Sequence, residues 1–390
     1  MNINDLRQET KGAESVIHFN NAGTSLMPDV VYDSIVDYLD NERMIGGYEI
    51  LELRMDELDT FYPVAAKFIG AQPDEIAFKE SATHAWTTAF YSIPFKAGDK
   101  ILTSNADYQS NYMAYVMAEK RFGTLTEIVP STKFGELNLA ALEQMVDEKT
   151  KLISVTHMPT NNGLVNPAEE IGKIAKQHGI LYLLDACQSV GQYPVDVEKI
   201  GCDMLTATGR KYVRGPRGTG FLYVRKEVQD QLDPIFLDQS SATWNGPGNI
   251  VPVPSARRFE LWEWSAANKI GLTQALRYAS NLGIENIWEI VNARAKQLRA
   301  SLSQIDGINM LDVGSVMSGI VTFEHATIAA ETIQKRLFKN KMNTSVGVQT
   351  TVLQDIASNP KSMVRPSVHY YNTEAEIAEF CDGLRAIVSS

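Results

Sequence analysis

Lys211 stands in a short glycine-rich segment that suits a lysine for covalent chemistry. It follows the small and polar residues 208–210, and three glycines lie within residues 215–220. Glycines let a backbone approach a ligand closely, and neighbouring cations lower the pKa of a lysine, which favours its attack on a carbonyl carbon. The alternative interpretation is a surface lysine in a basic turn with Arg210, Arg214 and Arg217.

Asp185 is the second residue that points to a ligand, because it directly follows the apolar residues 180–184. An aspartate at the end of a buried strand lies at the carboxyl edge of a parallel sheet, where ligands bind. A partly buried carboxylate needs a cationic partner, although an aspartate here can also be a plain helix N-cap. Together, Asp185 and Lys211 predict pyridoxal 5'-phosphate (PLP), with the lysine forming the Schiff base and the aspartate pairing with the pyridinium nitrogen.

Residues 80–86 predict the start of a helix that could hold the phosphate of this cofactor. Free N–H groups at a helix start, together with the Thr83 hydroxyl, suit a phosphate dianion, and Arg210 could add a charged contact. The alternative is an ordinary Ser/Thr helix cap. Residues 215–220 match neither the dinucleotide fingerprint nor the P-loop, so a nicotinamide dehydrogenase is not supported.

Three further side chains complete the predicted site. Tyr108 follows a predicted strand and could stack on a flat ring, or it could be an ordinary core or rim tyrosine. Gln188 comes three positions after Asp185 and could donate to the phenolic oxygen of the cofactor. Arg365 lies inside a strand-like stretch and suits a planar carboxylate held bidentately, or a structural ion pair.

The composition bounds the class of protein. The chain has 390 residues with a net charge of −11, and an acidic balance disfavours nucleic-acid binding. No apolar run is long enough to cross a membrane, and the N-terminus has no apolar signal segment. Its cysteines, Cys187, Cys202 and Cys381, have no metal-ligand spacing and suit a reducing compartment. We therefore expect a cytoplasmic enzyme without a metal site and without nucleic-acid or membrane partners.

Strands and helices alternate through the middle of the sequence. The predicted strands are residues 100–104, 125–129, 151–156, 180–184 and 204–207, and the predicted helices are residues 111–122, 140–146 and 169–178. This alternation predicts a mostly parallel sheet covered on both faces. The last third predicts helices at 270–282, 284–305 and 374–389 and strands at 319–323 and 363–368. We place the boundary between a large domain (20–265) and a small domain (266–390) near residues 264–268, with residues 1–19 packing on the small domain.

Taken in order, these motifs resemble the aminotransferase class V family, the fold-type-I PLP enzymes that include cysteine desulfurases, kynureninases and isopenicillin-N-epimerase-like proteins. The matching segments cover nearly the whole chain: residues 18–23, 80–86, 107–111, 156–161, 185–188, 208–211, 258–260, 365 and 370–373. The resemblance implies an α/β fold with a mostly parallel seven-stranded sheet in the large domain and a smaller α+β C-terminal domain. It also implies an amino-acid substrate and a homodimer whose subunits share active sites.

The resemblance assigns a role to each matching residue. Lys211 carries the Schiff base and shuttles the α-proton, Asp185 pairs with the pyridinium, Gln188 contacts the phenolic oxygen, and Tyr108 stacks on the ring, with Gln109 as the alternative. The other implied contacts are with the phosphate (Ala82, Thr83, Thr208 and Arg210) and with the substrate (Arg365, Asn21, Ala22 and Thr160).

The sequence also departs from the desulfurase pattern. No cysteine occurs in residues 345–364, where a desulfurase carries its persulfide-forming cysteine, and Arg210 replaces the usual histidine before the lysine. Residues 214–220 look more like the epimerase-like and C–S-lyase-like branch. We therefore predict an enzyme that acts at Cα, with β-elimination of a sulfur-bearing amino acid first. The alternatives are an aminotransferase or epimerase, a desulfurase-like enzyme without the persulfide cysteine, and a non-catalytic PLP-binding regulatory protein.

Overall fold

The computed structural model describes residues 2–348 and 362–389. Its strands are β1 Ile17–His18, β2 Ile76–Lys79, β3 Lys100–Ser104, β4 Leu125–Val129, β5 Thr150–Thr156, β6 Leu181–Asp185, β7 Met204–Thr208, β8 Gly220–Val224, β9 Ala242–Trp244, β10 Ile250–Pro252, β11 Ile308–Met310, β12 Phe323–His325, β13 Met342–Asn343, β14 Ser345–Val348 and β15 Ser362–Arg365. Its α-helices are α1 Ile3–Gln8, α2 Asp29–Ile45, α3 Gly47–Leu53, α4 Met55–Asp59, α5 Phe61–Ile69, α6 Ala82–Tyr91, α7 Gln109–Phe122, α8 Leu139–Met145, α9 Ala168–His178, α10 Val197–Ile200, α11 Ala266–Leu282, α12 Ile284–Leu302, α13 Ala330–Lys339 and α14 Glu374–Val388.

A seven-stranded sheet in the order β2-β8-β7-β6-β5-β3-β4 forms the centre of the molecule. Strands β4, β3, β5, β6 and β7 are parallel, and β8 is antiparallel to both β2 and β7. Successive side chains of a strand point to opposite faces, so Tyr182 and Leu184 enter one apolar core while Leu181 and Leu183 enter the other. Both faces are therefore covered, as predicted, and the carboxyl ends of the parallel strands meet at one edge.

All the strands and helices predicted in the middle of the chain are present, with bounds that differ by at most two residues. Two strands of the sheet, β2 and β8, were not predicted. Strand β2 has only four residues, and β8 follows a glycine-rich segment that is typical of a loop. Their pairing joins residues about 140 positions apart, for example Ile76 with Tyr223, and no local pattern carries that information.

The C-terminal part contains a four-stranded antiparallel sheet in the order β11-β12-β15-β14. The predicted strand at 319–323 was wrong, because β12 begins only at Phe323. Ile320 and Val321 are fully buried, yet Ile320 makes only an isolated bridge with Ser367. The apolar run therefore indicated burial and not strand pairing.

The N-terminal residues contact the C-terminal part of the chain. Strand β1 pairs in parallel with β13, Arg7 forms an ion pair with Glu376 at 2.8 Å, and the rings of Phe19 and Phe380 are 5.1 Å apart. Helix α11 contributes Leu272 to the core of the central sheet. The division into residues 20–265 and 266–390, with 1–19 on the latter, stays a proposal.

Lys269 is a buried lysine in α11 that is surrounded by aromatic rings. Its Nζ lies 4.4 Å from the ring centroid of Tyr62 and 4.5 Å from that of Trp264, and it donates to Tyr62 Oη at 3.0 Å. The Tyr62 hydroxyl in turn donates to Glu260 at 3.0 Å. Burial outweighs the attraction of Glu260 and lowers the pKa of Lys269 to about 8.

We expect the free energy of unfolding, measured relative to a Lys269→Met variant, to rise between pH 8 and pH 10. An unfolded lysine titrates at about 10.4, so the unfolded chain binds more protons than the folded chain in this window, and stability rises with pH. The free energy of unfolding, relative to the variant, should increase by about 1–2 kcal/mol between pH 8 and pH 10. Urea unfolding of both proteins across this range measures it, with Lys176→Met at an exposed position as the control. A difference between the two proteins that does not vary with pH would contradict the prediction.

Candidate active site

A cavity of about 310 Å³ opens at the carboxyl edge of the central sheet. Side chains from the start of α6, from the ends of several strands and from the segment after β7 line it, and those that matter below are Ala82, Thr83, Trp86, Tyr108, Asn111, Thr160, Asp185, Cys187, Gln188, Thr208, Arg210, Lys211 and Arg217. Ligands of open α/β sheets bind at this edge. The structure thus brings most of the predicted site residues to one cavity.

Lys211 lies in the turn that follows β7, and its side chain is partly buried in the cavity wall. In the part of the chain that the structure describes, its amine donates no hydrogen bond. Burial lowers the pKa of Lys211, and the neighbouring Arg210 acts in the same direction. A lowered pKa favours the neutral amine, which is the form that attacks a carbonyl or accepts a proton from carbon.

Asp185 ends β6 and is almost completely buried. Its Oδ1 accepts from the N–H of Cys187 at 3.0 Å, and its Oδ2 accepts from Asn111 Nδ2 at 3.1 Å. Within residues 2–348 and 362–389, Asp185 forms no ion pair with a Lys, Arg or His side chain. A buried carboxylate without a cation is costly, so a protonated ring nitrogen in the cavity fits this residue.

The start of α6 fits the phosphate. Ser81 caps the helix by accepting from the N–H of His84 at 3.1 Å, and no hydrogen bond within the described residues uses the N–H of Ala82 or Thr83. The indole Nε1 of Trp86 is also buried without a partner there. Such free donors at a helix N-terminus bind anions. A Cβ atom on Gly220, the first residue of β8, would clash with the Ala207 carbonyl oxygen and lie 3.1 Å from the Ser81 carbonyl carbon, so only glycine lets β8 begin between β7 and this helix start.

Two arginines and a threonine lie beside this helix start. The Arg210 guanidinium donates to the carbonyl of Gly23 at 2.5 Å, and the Thr208 hydroxyl donates to the carbonyl of Thr219 at 3.3 Å. The Arg217 side chain lines the cavity and makes no hydrogen bond or ion pair with any described residue. The sequence placed both arginines in one basic turn but did not show that Arg210 is tied to the Gly23 carbonyl while the Arg217 side chain has no partner among the described residues.

We expect Arg217→Gln to weaken the binding of PLP more than the binding of pyridoxal. Only PLP carries the phosphate, and an exposed arginine contact with it contributes about 1 kcal/mol, or roughly a fivefold change in Kd. Fluorescence titration of the apoprotein with both compounds measures the two affinities. Arg121→Gln, on the outer surface of α7, is the control. An equal loss for both compounds would mean that Arg217 does not contact the phosphate.

The structure separates the two candidates for ring stacking. Tyr108 is 40% exposed and lines the cavity, whereas Gln109 does not line it. The amide of Gln188 donates to the Ala22 carbonyl at 3.1 Å, and its Oε1 is buried without a partner in the described chain. One N–H of Gln188 is therefore committed to the protein, and its donation to a phenolic oxygen stays a prediction.

Of the four residues predicted to contact the substrate, the structure places only Thr160 on the surface of the cavity. Arg365 is buried, donates from Nε to Ser345 at 2.9 Å and from Nη1 to the Thr160 carbonyl at 3.0 Å, and pairs with no described carboxylate. Thr160 lines the cavity, and Arg365 lies behind it.

Asn21 and Ala22 do not reach the cavity surface. Asn21 is fully buried, donates to the Ser367 carbonyl at 2.7 Å and accepts from the Tyr371 hydroxyl at 2.5 Å. Ala22 donates its N–H to the Ser367 hydroxyl at 2.9 Å. Because these polar groups are already used inside the protein, the structure does not place either residue in contact with a ligand in the cavity, and their roles stay predictions.

Neither a metal site nor a membrane-spanning helix occurs in the described residues. No group of three or more His, Cys, Asp or Glu side chains there could hold a metal ion. No helix among them is long and apolar enough to cross a bilayer.

Comparison with known proteins places this cavity in context. The family model of aminotransferase class-V matches residues 17–380. A probable cysteine desulfurase of Methanothermobacter thermautotrophicus is 29% identical over 384 residues, covering 97% of this chain and 96% of that protein. The apo structure of a cysteine desulfurase from Thermococcus onnurineus NA1 superposes with a TM-score of 0.91 at 25% identity, covering 99% of this chain and 98% of the other. The cystine C–S lyase C-DES, solved with cysteine persulfide, gives a TM-score of 0.87 at 21% identity, with 96% and 99% of the chains covered. These superpositions confirm the predicted fold class.

Proposed function

The chain belongs to the aminotransferase class-V family, and on this premise we propose that it is a C–S lyase that removes a sulfur substituent from Cβ of a cysteine-derived amino acid. Family membership confirms the predictions of an enzyme and of PLP as its cofactor. The observation that carries the proposal is the Lys211 amine, which has no hydrogen-bond partner among the described residues and opens onto the same cavity as Asp185, a carboxylate without an ion pair to any of them.

In the proposed reaction, each of these residues has a separate role. When bound, PLP supplies an electron sink for the negative charge that develops at the substrate Cα. Asp185 holds its ring nitrogen, and the N–H groups of Ala82 and Thr83 hold its phosphate. The Lys211 amine takes the Cα proton onto Nζ as general base. Arg365, fixed against Thr160, orients the substrate carboxylate.

The overall reaction balances with water as the only co-reactant. The amino acid R–S–CH₂–CH(NH₃⁺)–COO⁻ and water give R–SH, pyruvate and ammonium. The Cβ–S bond breaks and its electron pair leaves with sulfur, which takes a proton, while water supplies the keto oxygen of pyruvate. Nζ of Lys211 holds the proton removed from Cα and can give it to the departing sulfur.

The cysteines favour release of the sulfur as a small molecule. Residues 345–364 contain none, although part of this stretch, 349–361, lies outside the described residues. Cys202 and Cys381 are buried in the cores. Cys187 lines the cavity beside Asp185, and burial raises the pKa of its thiol well above the ordinary range. A thiolate that could take sulfur from the substrate is therefore not supplied by these three residues.

A desulfurase-like activity without the loop cysteine is the second candidate, because the relatives bear the name cysteine desulfurase. Its amino-acid product would be alanine and not pyruvate. An aminotransferase or an epimerase would use the same lysine and differ only in where the proton returns. A regulatory protein would bind PLP without turnover.

One assay panel tests all of these functions. Purified protein with PLP is incubated with cysteine, cystine, S-alkyl cysteines and cysteine S-oxides, and with alanine as a control without sulfur. We expect pyruvate and ammonium in equal amounts, with one equivalent of the sulfur leaving group: sulfide from cysteine, a persulfide from cystine, a thiol from S-alkyl cysteines and a sulfenic acid from the S-oxides. Alanine from a sulfur substrate would indicate a desulfurase, a keto acid that retains sulfur would indicate an aminotransferase, and inversion without ammonium would indicate an epimerase. PLP binding with no product from any compound would indicate the regulatory protein.

The homodimer and the cytoplasmic location belong to the same proposal. Tyr48 and Trp262 are exposed aromatic residues that line a surface cavity of about 620 Å³, and exposed apolar patches of this kind favour subunit contacts. Light scattering after size-exclusion chromatography tests the dimer, with Trp262→Glu as the variant expected to weaken it. A monomer at micromolar concentration would contradict it.

A further inference from the structure

A second buried carboxylate lies next to the cavity. Asp107 follows β3, and its Oδ2 accepts from the hydroxyls of Thr103 at 2.7 Å and Tyr115 at 2.6 Å. Its Oδ1 accepts from the N–H of Tyr108 at 2.7 Å and from the hydroxyl of Thr156. Four donors converge on this carboxylate from three different elements, so both its position and its orientation are fixed.

Asn111 connects this carboxylate to Asp185. Its Nδ2 lies 3.2 Å from Asp107 Oδ1 and 3.1 Å from Asp185 Oδ2. A primary amide has two N–H donors, and here each one serves a different carboxylate. Asn111 stands in the first turn of α7 and is almost fully buried, so water does not compete for these bonds.

The two carboxylates share one neutral amide and lack a cation. Neither Asp107 nor Asp185 forms an ion pair with a basic side chain anywhere in the described ranges. Burial raises the pKa of Asp107, and the charge of Asp185 adds to this effect, while the hydroxyl donors oppose it. A cation beside Asp185 would be stabilised by the negative charges of both carboxylates, because Coulomb interactions are strong in a buried site.

We propose that Asn111 is a positioning residue, which fixes Asp185 against Asp107 so that the two carboxylates together hold a proton on the ring nitrogen of PLP. This inference rests on the proposed pairing of Asp185 with that nitrogen. Cys187 fixes the other oxygen of Asp185 through its backbone N–H, so Asn111 is the side chain that sets the plane of the carboxylate. If Asn111 only stabilised the fold, replacing it would weaken the binding of a cofactor with a ring nitrogen and of one without it to the same extent.

The test compares the Kd of the apoprotein for PLP with its Kd for 1-deaza-PLP, in which carbon replaces the ring nitrogen. We expect the wild-type protein to prefer PLP clearly. Asn111→Leu should reduce the ratio of the two Kd values about tenfold, since a hydrogen bond to a charged group has been removed. Asp107→Asn keeps the shape of residue 107 and removes its charge, and should reduce the ratio roughly threefold to tenfold.

Tyr115→Phe is the matched control, because it removes one donor to Asp107 but leaves the charge and the Asn111 bridge in place. The ratio of the two Kd values for Tyr115→Phe should stay within about twofold of the wild-type ratio. An equal loss of affinity for both compounds in Asn111→Leu, or in Asp107→Asn if the leucine variant does not fold, would overturn the inference and leave the proposed function intact. A wild-type protein without preference would overturn the pairing of Asp185 with the ring nitrogen, and the inference with it.

Discussion

Replacing Lys211 by alanine is expected to lower turnover of the best sulfur substrate by at least about 1,000-fold. The structure shows why no other group takes over. Lys211 is the only lysine among the described residues that line the cavity, and burial lowers the pKa of its amine, which favours the neutral form that acts as a base. Steady-state pyruvate formation measures the loss. Mass spectrometry after borohydride treatment should find the pyridoxyl group on Lys211 in the wild-type protein and on no peptide of the variant.

Two controls separate this chemistry from a loss of folding. Lys176→Ala changes an exposed lysine on α9 and should keep turnover within about twofold of wild type. Methylamine added to Lys211→Ala should restore part of the activity, because a free amine can then act as the base that the variant lacks. Unchanged pyruvate formation by Lys211→Ala would remove the basis of the proposed function.

Local sequence patterns predict a site residue correctly when a single strand or helix sets the position of its side chain or backbone N–H group. A polar residue at the end of a buried apolar run reaches the edge of the sheet whatever its neighbours are, as Asp185 does after β6. Ser81 caps α6 through contacts within four residues, so the free N–H groups beside it follow from the sequence. Lys211 belongs to this class, because it lies three residues after the end of β7 and so reaches the same edge of the sheet.

The rest of the site depends on contacts between residues distant in the chain. Asn111 is one polar residue among several in α7 until β6 packs beside it and brings Asp185 to 3.1 Å, across 74 positions of the sequence. Asn21 carries the same kind of polar group, but its partners at Ser367 and Tyr371 are about 350 positions away and take it out of the cavity. Residue type showed that these side chains could bind a ligand, and only tertiary packing decides which of them does.

The second large effect is expected for Asp185→Asn, which keeps the size of the side chain and removes its charge. A neutral amide cannot stabilise a protonated ring nitrogen as a carboxylate does, and hydrogen bonds to charged groups contribute about 1.5–3 kcal/mol. With about 1.4 kcal/mol for each factor of ten, we expect turnover to fall about 10- to 100-fold and the Kd for PLP to rise about tenfold. Pyruvate formation and fluorescence titration of the apoprotein measure these two quantities. Asp230→Asn alters a largely exposed aspartate and should change neither.

Because 1-deaza-PLP has no ring nitrogen, its affinity should hardly differ between Asp185→Asn and the wild-type protein. An equal loss of affinity for PLP and for 1-deaza-PLP would show that Asp185 supports the cavity wall and does not hold the ring nitrogen.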